Sequence, residues 1–201
     1  DEVKTLKKYG AEGVGLYRTE FLYLSSQNSP TEKFLYENFK YVIQELAPLP
    51  VIIRTLDIGM DKQLYSYEKN DEDNPALGLR GIRLSLTRPE QFTLQLRAIL
   101  KASLYGEVKI LYPMISDVDE IIQANKIVED IKGEFRVKQI PFNNDIKIGA
   151  MIETPSSAIC VDLILNEVDF ISVGTNDLIQ YLLAVDRINE QVAHLYQSYN
   201  P

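Results

Sequence analysis

At 201 residues, with 45% apolar and 25% charged side chains, the chain suits one domain with a sizeable core and is too short for two comfortable ones. Its formal charge of -8 repels nucleic acid and anionic membrane surfaces at long range, so any anionic ligand has to be held by local arginines. The single Cys160 excludes an internal disulfide framework and no run approaches the ~20 apolar residues of a membrane span, so a cytoplasmic protein with no signal peptide and no membrane insertion is expected.

In chain order, the first strand is expected in "GVGLYR" (13–18), with Gly10 and Gly13 as turn residues ahead of it. "TEKFLYENFKYVIQEL" follows as an amphipathic helix with Thr31 as N-cap and Phe34, Leu35, Phe39, Val42, Ile43 and Leu46 on one side. A second strand, "VIIRTLDI" (51–58), precedes a highly charged loop, "SYEKNDEDNPALG" (66–78), and a third strand is expected in "LRGIRLSL" (79–86). "RPEQFTLQLRAILKASL" then reads as a helix with proline near its start. The fourth strand, "VKILYPMI" (108–115), leads to the helix "SDVDEIIQANKIVEDIK", with Val118, Ile121, Ile122, Val128 and Ile131 on its apolar side and acids in its first turn. After a loop over "GEFRVKQIPFNNDI" (133–146) come the strand "IKIGAMIE" (146–153), the helix "PSSAICVDLILNE" and the strand "VDFISVGT" (168–175).

Strands returning about every 30 residues with helices between them are βαβ units, and continuous alternation means a parallel sheet with helices outside. Six such units are expected. A closed barrel needs eight, usually in ~250 residues, so the periodicity leaves open a doubly wound sheet or a truncated barrel.

Either fold gathers functional residues at the carboxyl ends of its strands. There the sequence puts Arg18, Thr19 and Glu20, then Arg54 and Asp57, then Arg80 and Arg83, then Glu153, and finally Asn176 and Asp177. Taken singly each has an ordinary explanation: Arg18 with Glu20 a rim ion pair, Thr154-Pro155 a helix start, Asn176-Asp177 a turn, Arg80 or Arg83 a solvated face. Convergence on one rim argues for more. Arginine presents a planar fork that matches phosphate or carboxylate oxygens, and two acids on neighbouring strands suit Mg²⁺, a hard ion content with one or two protein carboxylates. This is the equipment of phosphoryl transfer. No Walker or Rossmann glycine sequence is present; in "GAEGVG" the glycines precede their strand instead of following it.

Together "GVGLYRTEFL", "VIIRTLDIG-x-DK", "NPALGLRGIR", "ILYPMI", "IGAMIETPSSA", "VDFISVGTNDLIQYLLAVDR" and "HLYQ" resemble, in order, the phosphoenolpyruvate-binding barrel of the bacterial phosphoenolpyruvate–protein phosphotransferases (enzyme I). "GLYRTEFL" and "HLYQ" are closer to that family than to pyruvate,phosphate dikinase or phosphoenolpyruvate synthase. The resemblance implies an α/β fold, a (β/α)8 TIM-type barrel truncated to about six βα units and forming one domain over residues 1–201. It implies that Arg18 and Arg54 grip the phosphate of phosphoenolpyruvate with Arg80 nearby, and that Asn176 and its adjacent backbone touch the substrate. Arg187 would bind from the other side, and Glu153 and Asp177 would hold Mg²⁺. Lys62 lies close by without a derivable role, and Met60 stands where the family commonly has a second glycine. Pyruvate is the implied product, a histidine-phosphocarrier protein the implied partner through a separate domain, and a homodimer the implied state of the intact enzyme.

The family's phosphorylated histidine and its proton-donor cysteine fall outside this sequence. Neither His194 nor Cys160 matches them; His194 reads as a hydrogen-bonded structural residue and Cys160 as a buried cysteine in mid-helix. The chain is therefore expected to bind without turning over, and its uncovered strand edges to favour self-association. Two other readings are a metal-dependent lyase or aldolase working through a pyruvate enolate, which would not need so many arginines, and a non-catalytic phosphoenolpyruvate sensor.

Overall fold

The computed structural model describes residues 2–24, 29–58 and 73–199. In order these form α1 (Glu2–Lys8), β1 (Val14–Tyr17), α2 (Glu20–Leu24), α3 (Glu32–Leu46), β2 (Val51–Arg54), α4 (Ile82–Thr87), α5 (Pro89–Ala102), β3 (Val108–Tyr112) and α6 (Val118–Val137). They are followed by β4 (Lys147–Ile152), α7 (Pro155–Ile159), α8 (Val161–Ile164), β5 (Phe170–Val173) and α9 (Thr175–Leu183). Short 3-10 turns cover Ser103–Tyr105 and Ala193–Leu195.

Among the described residues all five strands are parallel, and their spatial order is their order in the chain. A doubly wound sheet reverses direction at a switch point. This one never reverses, and it curls as a truncated (β/α)8 barrel. The winding puts every strand's carboxyl end on the same rim.

Strand register separates two faces. Val51, Ile53, Val108, Ile110, Tyr112, Ala150 and Ile152 lie on the outer face and join the core beneath the helices. On α3, Leu35, Phe39, Val42, Ile43 and Leu46 are buried against it, at the spacing of one helical side. The Phe39 ring meets Tyr17 edge-on, with centroids 6.2 Å apart. Arg54, in register with Leu111, belongs to the other face, where its Nη1 lies 4.0 Å from Met151 Sδ. Local signals agree with the expected boundaries: Thr31 caps α3 by accepting from Phe34 N (3.2 Å), Asp117 and Glu120 close a capping box on α6, and Thr154 caps α7 ahead of Pro155.

Several expectations are corrected. The expected third strand, "LRGIRLSL", is a turn followed by helix α4, so among the described residues the sheet has five strands and not six. Gly81 sits at φ 58°, ψ -132°, outside the strand region, and a Cβ there would stand 2.7 Å from Met114 Cβ. With the chain broken at that residue, Ile82, Leu84 and Ser85 are buried from a helix, and Ser85 Oγ donates back to the Gly81 carbonyl (3.1 Å). The run is short and apolar, and periodicity cannot separate helix from strand in such a run.

The expected loop at 133–146 begins later, because α6 continues to Val137 and carries Phe135, which is fully buried, on the stripe of Ile121, Ala124, Val128 and Ile131. Phe34 and Ile122, expected on apolar helix faces, are exposed at 39% and 46%. The expected single helix after the "ETP" turn is two, α7 and α8, meeting at Cys160, which is half-buried rather than packed in mid-helix. Most of the charged loop, with Met60 and Lys62, falls outside the described residues.

The buried and exposed sides of α3 separate in a denaturation experiment. Phe39→Ala should cost about 3–5 kcal/mol by emptying a filled core site, whereas Phe34→Ala should change stability by about 0.5 kcal/mol or less. Urea midpoints at constant m-value measure both.

Candidate functional site

β2 ends in Arg54, and three residues later the chain presents Asp57. Arg54 Nη1 lies 2.9 Å from Asp57 Oδ2, and Arg54 Nη2 donates to Glu20 Oε1 at 2.8 Å. Glu20, at the start of α2, also accepts from the Asp57 backbone N–H (3.3 Å). Arg80 arrives from the turn before α4 and puts Nη2 3.1 Å and 3.2 Å from the two Asp57 oxygens and Nε 3.3 Å from Oδ1. Its Nη1 reaches the Tyr181 hydroxyl at 3.4 Å and lies 3.6 Å from Asp177 Oδ1. Arg187, beyond α9, brings Nη2 to 3.5 Å from the same oxygen. One continuous line of charges thus runs Glu20–Arg54–Asp57–Arg80–Asp177–Arg187 along the rim.

Glu153, at the end of β4, is 1% exposed and accepts from Met114 N (2.6 Å), whose own φ is 56°. Burial pushes its carboxyl up to about 7, with Asp57 and Asp177 adding to the rise and Arg54 and the Met114 N–H opposing it. Gly174, ahead of α9, is small because a Cβ there would lie 2.6 Å from Glu153 Oε2, so Glu153 and the Asp177 segment pack directly together. Burial alone pulls the Arg54 and Arg80 guanidinium groups down, but their carboxylate neighbours outweigh it and both are held above the ordinary arginine value.

Among the described residues, three buried side-chain atoms lack a hydrogen bond: Arg54 Nε, Thr55 Oγ1 and Asp177 Oδ1. The first two lie at the end of β2 and the third in the first turn of α9. An unpaired buried donor and acceptor at one rim are costly unless something else meets them. Among the described residues no three acids converge closely enough to hold a metal ion between them; the pair Glu153 and Asp177, which interact across the ends of β4 and β5, suits a hard divalent cation content with one or two protein carboxylates.

Of the residues singled out from sequence, the structure brings Arg54, Arg80, Glu153, Asp177 and Arg187 together. Arg18 follows β1 on the same rim but is exposed, and no described residue pairs with it. The simple Arg18–Glu20 ion pair is therefore replaced by Glu20 with Arg54. Asn176 is exposed in the first turn of α9, and its carbonyl accepts from the Tyr196 hydroxyl (3.1 Å). Arg83 turns away, donating to the Leu77 carbonyl and Ser116 Oγ. His194 is exposed on a 3-10 turn, and its carbonyl accepts from Gln197 Nε2 (3.4 Å).

From sequence, Asp57 stands at a strand end without a part, and Glu20 has only the rim pairing with Arg18. The i,i+3 spacing in "RTLD" was the available signal for the first. Nothing local announces Tyr181, whose hydroxyl also donates to the Ala76 carbonyl.

Fold and rim together define a class: a (β/α)-barrel domain whose strand ends carry a buried arginine–carboxylate cluster. Over residues 1–201 the chain matches the family described as PEP-utilising enzyme, PEP-binding domain, and it belongs to that family. It is 50% identical over 201 residues to the phosphoenolpyruvate-protein phosphotransferase of Priestia megaterium and 48% identical over 201 residues to that of Geobacillus stearothermophilus. Each comparison covers 100% of this chain and 35% of the relative. Against the protein of the same name from Staphylococcus carnosus it is 46% identical over 192 residues, covering 96% of this chain and 34% of the relative. The chain thus spans about a third of the length of these relatives. Among the described residues, no helix is long and apolar enough to cross a membrane.

Glu153 makes stability depend on pH with a definite sign. Its folded value of about 7 lies above the 4.5 of a free glutamate, so between the two the folded chain keeps a proton that the unfolded chain has lost. Stability from this group is complete below about 4.5 and is lost as pH rises through about 7. In metal-free buffer, Glu153→Gln should remove a fall of at most about 3 kcal/mol between pH 5 and 8, at about 1.4 kcal/mol per tenfold change in proton affinity. Urea denaturation of both proteins across that range measures it; parallel curves would contradict the assignment.

Proposed function

We propose that the chain binds phosphoenolpyruvate as part of a phosphoenolpyruvate–protein phosphotransferase that passes the phosphoryl group to a histidine and on to a histidine-phosphocarrier protein. The observation that carries this reading is the shared line of charges from Glu20 to Arg187 on one rim. The names of the similar proteins support the substrate class.

Charge arithmetic supports a metal requirement. The rim is already balanced: Glu20, Asp57 and Asp177 face Arg54, Arg80 and Arg187, and Glu153 adds a fourth acid that gives up its proton only near pH 7. A polyanion cannot join that set without further positive charge. Exposed Arg18 supplies part of it, and Mg²⁺ held by Glu153 and Asp177 supplies the rest. When bound, the ion would neutralise charge on the phosphoryl oxygens and on the pyruvate enolate.

The chain's own groups then divide the work. Arg18 holds the phosphate with a planar donor fork, Arg54 adds the donors that Asp57 and Glu20 leave unused, and Arg80 stands behind them, fixed by Asp57 and Tyr181. Asn176 and the backbone beside it orient the organic part, and Arg187 closes the far side. Asp57 keeps both inner arginines in place and leaves Arg54 Nε free to donate. The accepting histidine and the group that protonates the enolate are supplied by other parts of the enzyme, so the chain alone binds without turnover. Homodimerisation belongs to the same reading of the intact enzyme.

Calorimetric titration of phosphoenolpyruvate tests the reading. Binding is expected with Mg²⁺ and should be at least about tenfold weaker without it, a difference of 1.4 kcal/mol or more. Arg54→Ala should weaken binding but also strips Asp57 and Glu20 of a partner. Arg18→Ala is the cleaner variant, because that side chain is exposed: affinity should drop about tenfold with the melting temperature unchanged. Equal affinity in wild type, Arg18→Ala and Arg54→Ala would remove the proposed site.

A further inference from the structure

Beneath the rim lies a small polar cluster to which none of the roles above extends. Gln95, on α5, is 1% exposed, and Thr19, between Arg18 and Glu20, is fully buried. The Gln95 amide nitrogen donates to Thr19 Oγ1 at 3.1 Å, and the amide oxygen accepts from the Leu56 backbone N–H at 3.1 Å. The Thr19 hydroxyl in turn donates to the Arg54 carbonyl at 3.0 Å. Two bonds therefore join one helix to the two chain segments that carry Arg18 and Glu20 on one side and Arg54 and Asp57 on the other, and a third joins those segments to each other.

The sheet does not make this connection by itself. β1 and β2 pair at Val14↔Val51 and Tyr17↔Ile53, so three residues of one strand run against two of the other and the register is irregular. Past Tyr17 the direct links from the β1 end to the β2 end are side-chain ones: Thr19 to the Arg54 carbonyl, and Glu20 to the Arg54 guanidinium and the Asp57 N–H. A one-residue slip in a parallel pair turns every side chain to the other face. An irregular ladder needs a second device to set which residue faces which.

We propose that Gln95, acting through Thr19, is a positioning residue that locks the two arginine-bearing strand ends in one register and so sets the spacing of Arg18 and Arg54 around the anionic ligand. The assignment rests on the function proposed above and deepens it. A buried amide is an expensive way to fill a core position, since each polar atom must find a partner. Here both ends of the amide meet groups within one or two residues of the proposed ligand-binding side chains. The choice of donor and acceptor is fixed by chemistry: the Leu56 N–H can only donate, so the amide oxygen faces it and the NH2 must face Thr19.

The test measures phosphoenolpyruvate affinity with Mg²⁺ present, at a temperature where every variant is folded by circular dichroism. Thr19→Val keeps the shape and removes the hydroxyl; Gln95→Met keeps the length and removes the amide. Both should weaken binding about tenfold, since small misplacements of binding groups are costly. Thr19→Ser, which restores the hydroxyl, should stay within about twofold of wild type, inside what one mobile hydrogen bond is worth. Ile99→Val, on the same helix and fully buried, controls for loss of stability without loss of the clamp and should bind as wild type. Wild-type affinity in Thr19→Val and Gln95→Met overturns the clamp and leaves the proposed function standing, as does an equal loss in Ile99→Val. If the wild-type chain itself does not bind, the proposed function falls and the clamp's part in it falls too.

Discussion

A carboxylate almost entirely out of water, Asp57, meets two arginines from different parts of the chain: Arg54, three residues before it, and Arg80, twenty-three residues after it. Burying one ionised group costs several kcal/mol, and only good geometry with additional hydrogen bonds recovers that cost. Asp57 has both. Arg80 contacts both of its oxygens, Arg54 sits against one, and its backbone N–H donates to Glu20. Both guanidinium groups are therefore held before any ligand arrives. A preformed site spends little binding energy on ordering side chains.

The same interaction explains why the rim is rich in acids although the proposed ligand is an anion. Glu20, Asp57 and Asp177 are the counter-ions that let arginines stand half-buried at strand ends, and Glu153 completes the group from β4. The cluster has no positive charge to spare, and it leaves Asp177 Oδ1 and Arg54 Nε without hydrogen bonds. Those two features point the same way, toward a cation and an anion held together. Close packing is permitted at two places by glycine: Gly81 beside Met114 and Asp57, and Gly174 against Glu153. The apolar side chains do a separate job on the outer face of the strands, where Val51, Ile53, Val108, Ile110 and Tyr112 meet the helices. Core substitutions should thus change stability with little effect on the rim, except where α5 reaches up through Gln95.

Much of this was readable in the chain. Ile- and Val-rich runs marked five strands, and Thr31, Asp117 and Thr154-Pro155 marked helix starts, because those signals act within a few residues of themselves. "LRGIRLSL" misled because its apolar spacing fits either period, and Gly81 decided the matter by leaving strand geometry. The end of α6 misled because Gly133 and Arg136 look like loop residues, whereas burial of Phe135 pays for the extra turn. Cys160 proved to mark a break between two helices, which no periodicity in "PSSAICVDLILNE" announces.

For the rim, the sequence by itself determined which charged and amide side chains stand at the strand ends, since a regular βα alternation delivers each strand's last residues to the same side. Only the tertiary structure decided their partners. Glu20 chose Arg54, thirty-four positions away, over Arg18, two away; Arg80 entered from a turn instead of a strand; and Gln95 came from a helix to join the ends of β1 and β2. Such pairings depend on distances in space and on exclusion of water, and neither quantity is carried by the order of residues along the chain.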